Sequence, residues 1–198
     1  MVRRAALLVL PAALLAASSA RADEAARVDE GLHGELNVIP LFAVGLLPSP
    51  SVGVAPSMAF RWPGLSVSLG VHALYSTGKD PVMEGVSTEV ALVLAVPTLC
   101  GHTGPFFVCG MLQAGELRAR GDGRAEVDIR DPWLVAIAGR GGVDWLVSRR
   151  FALRAFLEMP VVLGRPTIVI DSTEKWRGAS LAMVLGVGFV VPLRGEGP

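Results

Sequence analysis

Long apolar stretches are scarce in this sequence. Beyond the first 22 residues the longest one runs from Leu181 to Leu193 and includes Gly186, Gly188 and Pro192. A membrane-spanning helix needs about 20 consecutive apolar residues, and glycine and proline weaken helices. The sequence therefore argues against a membrane protein built of helices.

Charge is scarce as well, because only 18% of the residues are Asp, Glu, Lys or Arg, whereas 52% are apolar. Globular domains usually carry about 25% charged residues. The 18 basic side chains are matched by 18 acidic ones. Nucleic-acid binding requires a basic surface, so we expect no nucleic-acid partner.

Cysteine and histidine, which commonly bind metals or take part in nucleophilic catalysis, are few. The chain has two cysteines, Cys100 and Cys109, and three histidines, His33, His72 and His102. None of the histidines lies in a recognisable catalytic motif. We therefore expect no catalytic residue, no enzymatic activity and no cofactor.

The N-terminus predicts export. Two arginines precede an apolar stretch from Ala5 to Ala17, and Ala20-Arg21-Ala22 ends it with small residues at the spacing that a signal peptidase reads. We expect residues 1–22 to be a cleaved signal peptide, and residues 23–30 to be a polar periplasmic lead-in. The apolar stretch is too short to cross a bilayer as a helix.

From Gly31 onward, apolar residues recur with a period of two. One stretch places Val52, Val54, Met58 and Phe60 on one face and mostly small residues on the other. This alternation is typical of a β-strand with two different faces. Eight such stretches of about ten residues follow one another as far as Leu193, separated by turns rich in glycine and proline.

The less apolar face consists mostly of Gly, Ala and Ser. The solvated face of a soluble sandwich usually carries larger polar residues, whereas the interior of a small barrel needs small side chains. We predict an all-β fold, an eight-stranded antiparallel up-and-down transmembrane β-barrel over residues 31–193, with a tail at 194–198. We expect outward-facing polar loops at Ser76–Glu84, Arg118–Asp131 and Gly164–Arg177.

Several charged residues have the parity that directs them into the lumen, and their signs are nearly balanced. We expect an internal ion-pair network, since buried charges require partners. Its predicted members are Glu35, Arg61, Glu89, Arg140, Asp144, Arg154 and Glu158. In the fourth stretch this assignment directs Glu89 inward and Leu92 outward.

Aromatic residues recur at the ends of the predicted strands. Membrane barrels carry aromatic girdles at both interfaces with water. The predicted girdle residues are Trp62, Tyr75, Phe106, Trp133, Trp145, Phe151 and Trp176.

Cys100 and Cys109 stand on either side of a glycine–proline turn between two apolar stretches. Because the periplasm is oxidising, we predict a disulfide across a β-hairpin. An alternative is a metal site of the form Cys-x-His-x6-Cys that includes His102. Export favours the disulfide, so we expect no metal.

With these features the sequence resembles the small eight-stranded outer-membrane proteins, such as the OmpA transmembrane domain and OmpX, over Gly31 to Leu193. The segment Gly188-Phe-Val-Val-Pro-Leu193 is similar to the C-terminal signal that the barrel-assembly machinery reads. The resemblance implies location in a bacterial outer membrane and contact with its lipids and lipopolysaccharide. It also implies a structural, adhesion or surface-interaction role.

Two other hypotheses stay open. A soluble, lipocalin-like periplasmic barrel that binds an apolar ligand would have the opposite orientation, with Leu36, Val67, Leu92 and Leu185 inside. A membrane enzyme would need a polar cluster at one rim of the barrel, and the sequence gives no pattern that assembles one.

Overall fold

The computed structural model describes residues 32–78, 87–122, 127–130, 132–148, 151–164, 166–170 and 173–193. The predicted signal peptide, lead-in and tail lie outside these residues. The described residues form eleven strands: β1 (His33–Val44), β2 (Ser51–Trp62), β3 (Leu65–Gly78), β4 (Ser87–Thr103), β5 (Phe106–Asp122), β6 (Val127–Arg130), β7 (Trp133–Ser148), β8 (Phe151–Gly164), β9 (Thr167–Ile170), β10 (Thr173–Arg177) and β11 (Met183–Leu193). No helix in these ranges is long and apolar enough to cross a membrane.

Eight of the strands close into one antiparallel barrel. Around the wall the order is β1, β2, β3, β4, β5, β7, β8 and β11. The barrel closes where β11 pairs with β1, with Leu193 opposite Gly34. This architecture confirms the predicted fold class.

Two tight turns lie at one end of the barrel, which we call the turn end; the opposite end is the loop end. Pro63-Gly64 joins β2 to β3, and Gly104-Pro105 joins β4 to β5. Gly64 and Gly104 have φ angles of 75° and 58°. Side chains with a Cβ rarely adopt this left-handed region, so each turn depends on its glycine.

The disulfide predicted between Cys100 and Cys109 is confirmed. The two residues lie opposite each other on β4 and β5, and their sulfur atoms are 2.06 Å apart. The two-residue turn pairs Thr103 with Phe106, which places an even-numbered residue opposite an odd-numbered one. Both cysteines therefore face the lumen although their sequence parities differ.

The outer face of the barrel is apolar. On β2, the predicted set from Val52 to Trp62 points outward as expected. Leu36, Val67 and Leu185 are each 44% exposed on the outside of the wall. This is the opposite of what a soluble barrel with an internal ligand requires.

The face assignment for β4 was wrong. Leu92 is fully buried inside the barrel, whereas Glu89 and Val93 point outward. The cause is that both faces of β4 are apolar between Val90 and Val96, so hydrophobic alternation did not distinguish them. The register with β3 and β5, in which Cys100 and Cys109 face inward, determines the orientation instead.

The loop predictions also need correction. β5 continues as far as Asp122, and β6, β9 and β10 form a separate three-stranded sheet in the order β10-β9-β6. Ile168 on β9 is fully buried, and Trp176 on β10 packs against the apolar interior cluster. Trp176 is therefore not a girdle residue, because its strand belongs to this loop sheet and not to the barrel wall.

Towards the loop end, the lumen is filled by apolar side chains from most of the wall strands. They include Leu41, Leu74, Leu92, Leu94, Leu117, Leu134, Ala136 and Val184. Leu46 and Leu47, on the connection between β1 and β2, are also buried in this cluster.

Candidate functional site in the barrel lumen

A cluster of four charges lies in the lumen near the turn end; we call it the turn-end cluster. Arg61 lies 3.3 Å from Glu35 and 3.4 Å from Asp144. Arg154 donates two hydrogen bonds to Asp144, of 2.7 and 2.8 Å, and its guanidinium lies 3.5 Å from Glu35. The two arginines and two carboxylates balance in charge, which is the condition for keeping ionised groups away from water.

A second group, the central cluster, lies further into the barrel. Arg140 donates to Glu158 Oε2 through Nε (3.0 Å) and Nη2 (2.7 Å). Gln113 donates to the other oxygen of Glu158, and His72 Nε2 accepts from Arg140 Nη2 at 3.2 Å. Glu158 is completely buried, so its charge depends on these partners.

Aromatic rings hold both clusters in place. The Arg140 guanidinium lies 4.1 Å from the ring centre of Phe156, and that of Arg154 lies 4.9 Å from Phe107. Each ring lies over a glycine: Phe156 over Gly186 and Phe107 over a glycine of β7, and a Cβ at either glycine would overlap the ring. These contacts combine cation–π attraction with close packing.

Six of the seven residues predicted for the lumen network lie in these clusters. Three arginines face three carboxylates, so the described ion pairs balance without further charge. Glu89 was predicted to join them, but it points outward because β4 has the orientation opposite to the one expected.

Sequence reasoning missed Gln113, an uncharged member of the site. Gln113 has inward parity in the hydrophobic alternation, but only charged residues were assigned to the network. At the turn end, Ser66 Oγ and His102 Nε2 are 2.8 Å apart, and this contact was not predicted either. These residues could have been identified by searching the inward positions for any polar side chain, charged or uncharged.

A small cavity lies beside the central cluster. Its lining includes Ser57, Ser68, His72, Thr98 and Arg140. The space open to the centre of a water molecule is about 10 Å³, which corresponds to about one water. Among the described residues, no group of three or more His, Cys, Asp and Glu side chains is arranged to hold a metal ion.

Comparison with protein-family models and with curated protein sequences finds no match. Solved structures do match. OprG from Pseudomonas aeruginosa, an outer-membrane protein, superposes with a TM-score of 0.50 at 8% identity, over 84% of this chain and 98% of OprG. The chain has the fold of the small outer-membrane β-barrels. The fold that the predicted resemblance implies is thereby confirmed.

Two further outer-membrane-type barrels are similar at lower TM-scores. Ail, the attachment invasion locus protein of Yersinia pestis, gives 0.48 at 11% identity, over 80% of this chain and 97% of Ail. Neisserial surface protein A gives 0.45 at 13% identity, over 81% of this chain and 96% of that protein.

The closed wall and its apolar outer face are those of a transmembrane β-barrel, because only a lipid bilayer matches such a face. Aromatic residues mark both edges of that face. Trp62, Phe106, Trp145 and Phe151 point outward at the turn end, and Tyr75 and Trp133 point outward at the loop end. In bacterial outer-membrane barrels the short connections face the periplasm, so we expect the turn end to face the periplasm.

Proposed function

We propose that this protein is a structural or surface-interaction component of the outer membrane that neither forms an open pore nor catalyses a reaction. The observation that carries this proposal is the closure of its lumen at two levels. Balanced ion pairs cross the lumen from the turn end to its centre, and an apolar layer fills the part nearer the loop end. The lumen of an eight-stranded barrel is just wide enough for side chains to fill it.

The apolar layer is a barrier to ions and water because it offers them no hydrogen-bonding partner. Leu46 and Leu47 extend it towards the loop end, with 1% and 3% of their surface exposed. Ile168, from the loop sheet, packs against the same layer. A solute in the lumen would have to displace these side chains as well as the ion pairs below them.

The part offered to the cell's surroundings is the loop sheet of β6, β9 and β10. Regular structure in these connections provides a defined surface, which suits recognition better than a solvated coil does, because less conformational entropy is lost on binding. This supports a role in adhesion or surface interaction.

The Ser66–His102 pair supports a structural role and not a catalytic one. A nucleophilic serine requires a histidine that a third group orients. Among the described residues, no carboxylate lies within ion-pair distance of His102, and Ser66 is only 5% exposed. The pair satisfies two polar groups at the turn end of the lumen.

Conductance in a planar lipid bilayer tests the proposal. The refolded full chain should insert without producing discrete current steps, because the lumen is blocked at two levels. The control is an equal amount of heat-denatured chain, which measures leakage from unfolded protein. Reproducible step conductance from the folded chain, absent from the control, would contradict the proposal.

A further inference from the structure

The disulfide between Cys100 and Cys109 lies inside the closed barrel. Only 8% of Cys100 and 4% of Cys109 is exposed, and both residues face the lumen. In the wall, Ser66 of β3 lies opposite Cys100, and Arg140 of β7 lies opposite Cys109. The bond is therefore enclosed on the lumen side of the wall.

Aromatic rings and charges cover the disulfide on the side of the turn end. The next inward residues towards the β4–β5 turn are His102 and Phe107, whose ring centres are 5.9 Å apart. Phe107 is 3% exposed, and the Arg154 guanidinium lies 4.9 Å from its ring centre. Asp144, which accepts hydrogen bonds from Arg154, donates its backbone N–H to the carbonyl of Pro105 and so lies level with the turn. A molecule that approaches from the turn end meets these groups before it meets the sulfur atoms.

The side towards the loop end is covered as well. Met111 is the next inward residue of β5 in that direction and is 5% exposed. The central cluster, to which Gln113 belongs, and the apolar layer of the lumen lie beyond it. The disulfide of the folded chain is therefore covered from both ends of the barrel.

Formation of a disulfide by exchange requires direct contact between sulfur atoms. One cysteine thiolate attacks a sulfur of an oxidised carrier to give a mixed disulfide, and the second thiolate then attacks the chain's own sulfur in that bond. The carrier leaves as a dithiol, so two electrons and two protons pass from the chain to the carrier. In the closed barrel, a carrier protein has no path by which its sulfur reaches Cys100 or Cys109.

The β4–β5 hairpin brings the two cysteines together without the rest of the barrel. They are nine residues apart and lie directly opposite each other across a two-residue turn. A hairpin forms within microseconds, because its contacts are local. Closure of the barrel instead requires β1 to pair with β11, the first and last strands of the described chain. The cysteines therefore meet while the sheet is still open.

We propose that a periplasmic dithiol oxidase acts on the β4–β5 hairpin before the barrel closes, and that closure then buries the finished disulfide. This inference concerns assembly and goes beyond the proposed surface role. The early bond also fixes a register that hydrophobic alternation leaves open. Both faces of β4 are apolar between Val90 and Val96, so alternation there does not oppose a shift by one residue. A bond that already joins Cys100 to Cys109 prevents that shift.

The rate at which the cysteines oxidise tests whether closure buries them. The full chain is reduced in urea and refolded in detergent micelles, and its folded state is checked by gel mobility. The probe is glutathione disulfide, and the readout is the fraction of cysteines that a maleimide still labels after unfolding. The folded chain should oxidise at least about 100-fold more slowly than the same chain kept in urea, because exchange then requires opening of the wall.

The matched control is Thr103→Cys in a chain that also carries Cys100→Ser and Cys109→Ser. Thr103 is exposed on the same hairpin, so a thiol there should react with glutathione disulfide at a similar rate in the folded and unfolded chains. Oxidation of Cys100 and Cys109 in the folded chain at the rate found in urea would overturn the inference.

Pulse labelling in cells measures the order of events and the role of the oxidase. After thiols are trapped with a maleimide, unboiled samples should show an oxidised, unfolded chain before any folded barrel. In cells without periplasmic dithiol oxidases, this oxidised form should appear more slowly. A reduced folded barrel that later becomes oxidised, or an unchanged rate without the oxidases, would overturn the inference. Bilayer conductance is measured on the oxidised chain, so failure here leaves the closed-lumen proposal intact.

Discussion

The carboxylate of Glu158 is fully buried and therefore needs partners inside the barrel that compensate its charge. Arg140 donates two hydrogen bonds to it, and Gln113 donates another. Removing one partner of a buried ion pair leaves the other charge without compensation, and this costs more than the pair contributes.

We therefore expect Arg140→Leu to lower the free energy of unfolding by about 3–5 kcal/mol. The measurement is urea unfolding of the refolded barrel in lipid vesicles, followed by tryptophan fluorescence. Arg118→Leu is the control, since it removes an exposed ion pair with Glu116 and should cost about 1 kcal/mol or less. The double change Arg140→Leu and Glu158→Leu should recover much of the lost stability. An Arg140→Leu variant that loses no more free energy of unfolding than Arg118→Leu would contradict this account.

Among the strands, β4 shows where hydrophobic alternation fails to predict which face of a strand points outward. On the other wall strands the inward face carries enough Gly, Ala, Ser or charged residues to distinguish it, and the lipid-facing side was predicted correctly, as for Val52 to Trp62 on β2. On β4 both faces are apolar near the loop end because that part of the lumen is itself apolar. Pairing with β3 and β5 determines the orientation there, and a single sequence does not reveal that register.

Adjacent substitutions on β4 test the orientation. Leu92→Ala should cost about 2–5 kcal/mol, because it opens a cavity in a closely packed layer. Val93→Ala should cost about 1 kcal/mol or less, because its side chain faces lipid. Both values come from the same urea unfolding measurement. If Val93→Ala cost more stability than Leu92→Ala, Leu92 would have to face lipid, and this orientation of β4 would be wrong.

The candidate site shows the same limit. Inward parity and charge identified six members of the lumen clusters, because an ionised group in a barrel wall avoids the hydrocarbon. Neither property identified which arginine meets which acid. Arg140 and Glu158 lie opposite each other on neighbouring strands, but that match depends on the register, and Arg61 and Asp144 come from strands far apart in the sequence. The loop sheet was missed for a related reason: its strands, such as β6 (Val127–Arg130), are too short for periodicity to be visible.

For the molecule as a whole, the closed hydrogen-bond network of the wall predicts resistance to detergent. Every wall strand has two partners, so no edge is open to attack. In the outer-membrane fraction the protein should migrate differently on a denaturing gel before and after boiling. Recovery in the soluble periplasm with no heat-dependent shift would contradict the membrane placement.

The residues of the turn-end cluster come from two separate parts of the sheet, and this affects the order in which the barrel assembles. Glu35 and Arg61 come from the first two strands of the wall, whereas Asp144 and Arg154 come from β7 and β8. These halves meet only when the two ends of the sheet join at the β1–β11 seam. Until then each half keeps its ions hydrated, and an unclosed sheet would carry them into hydrocarbon at high cost. Seam closure and release into the lipid are therefore coupled steps, and a chain whose seam is slow to close should be held at a hydrated, membrane-bound intermediate.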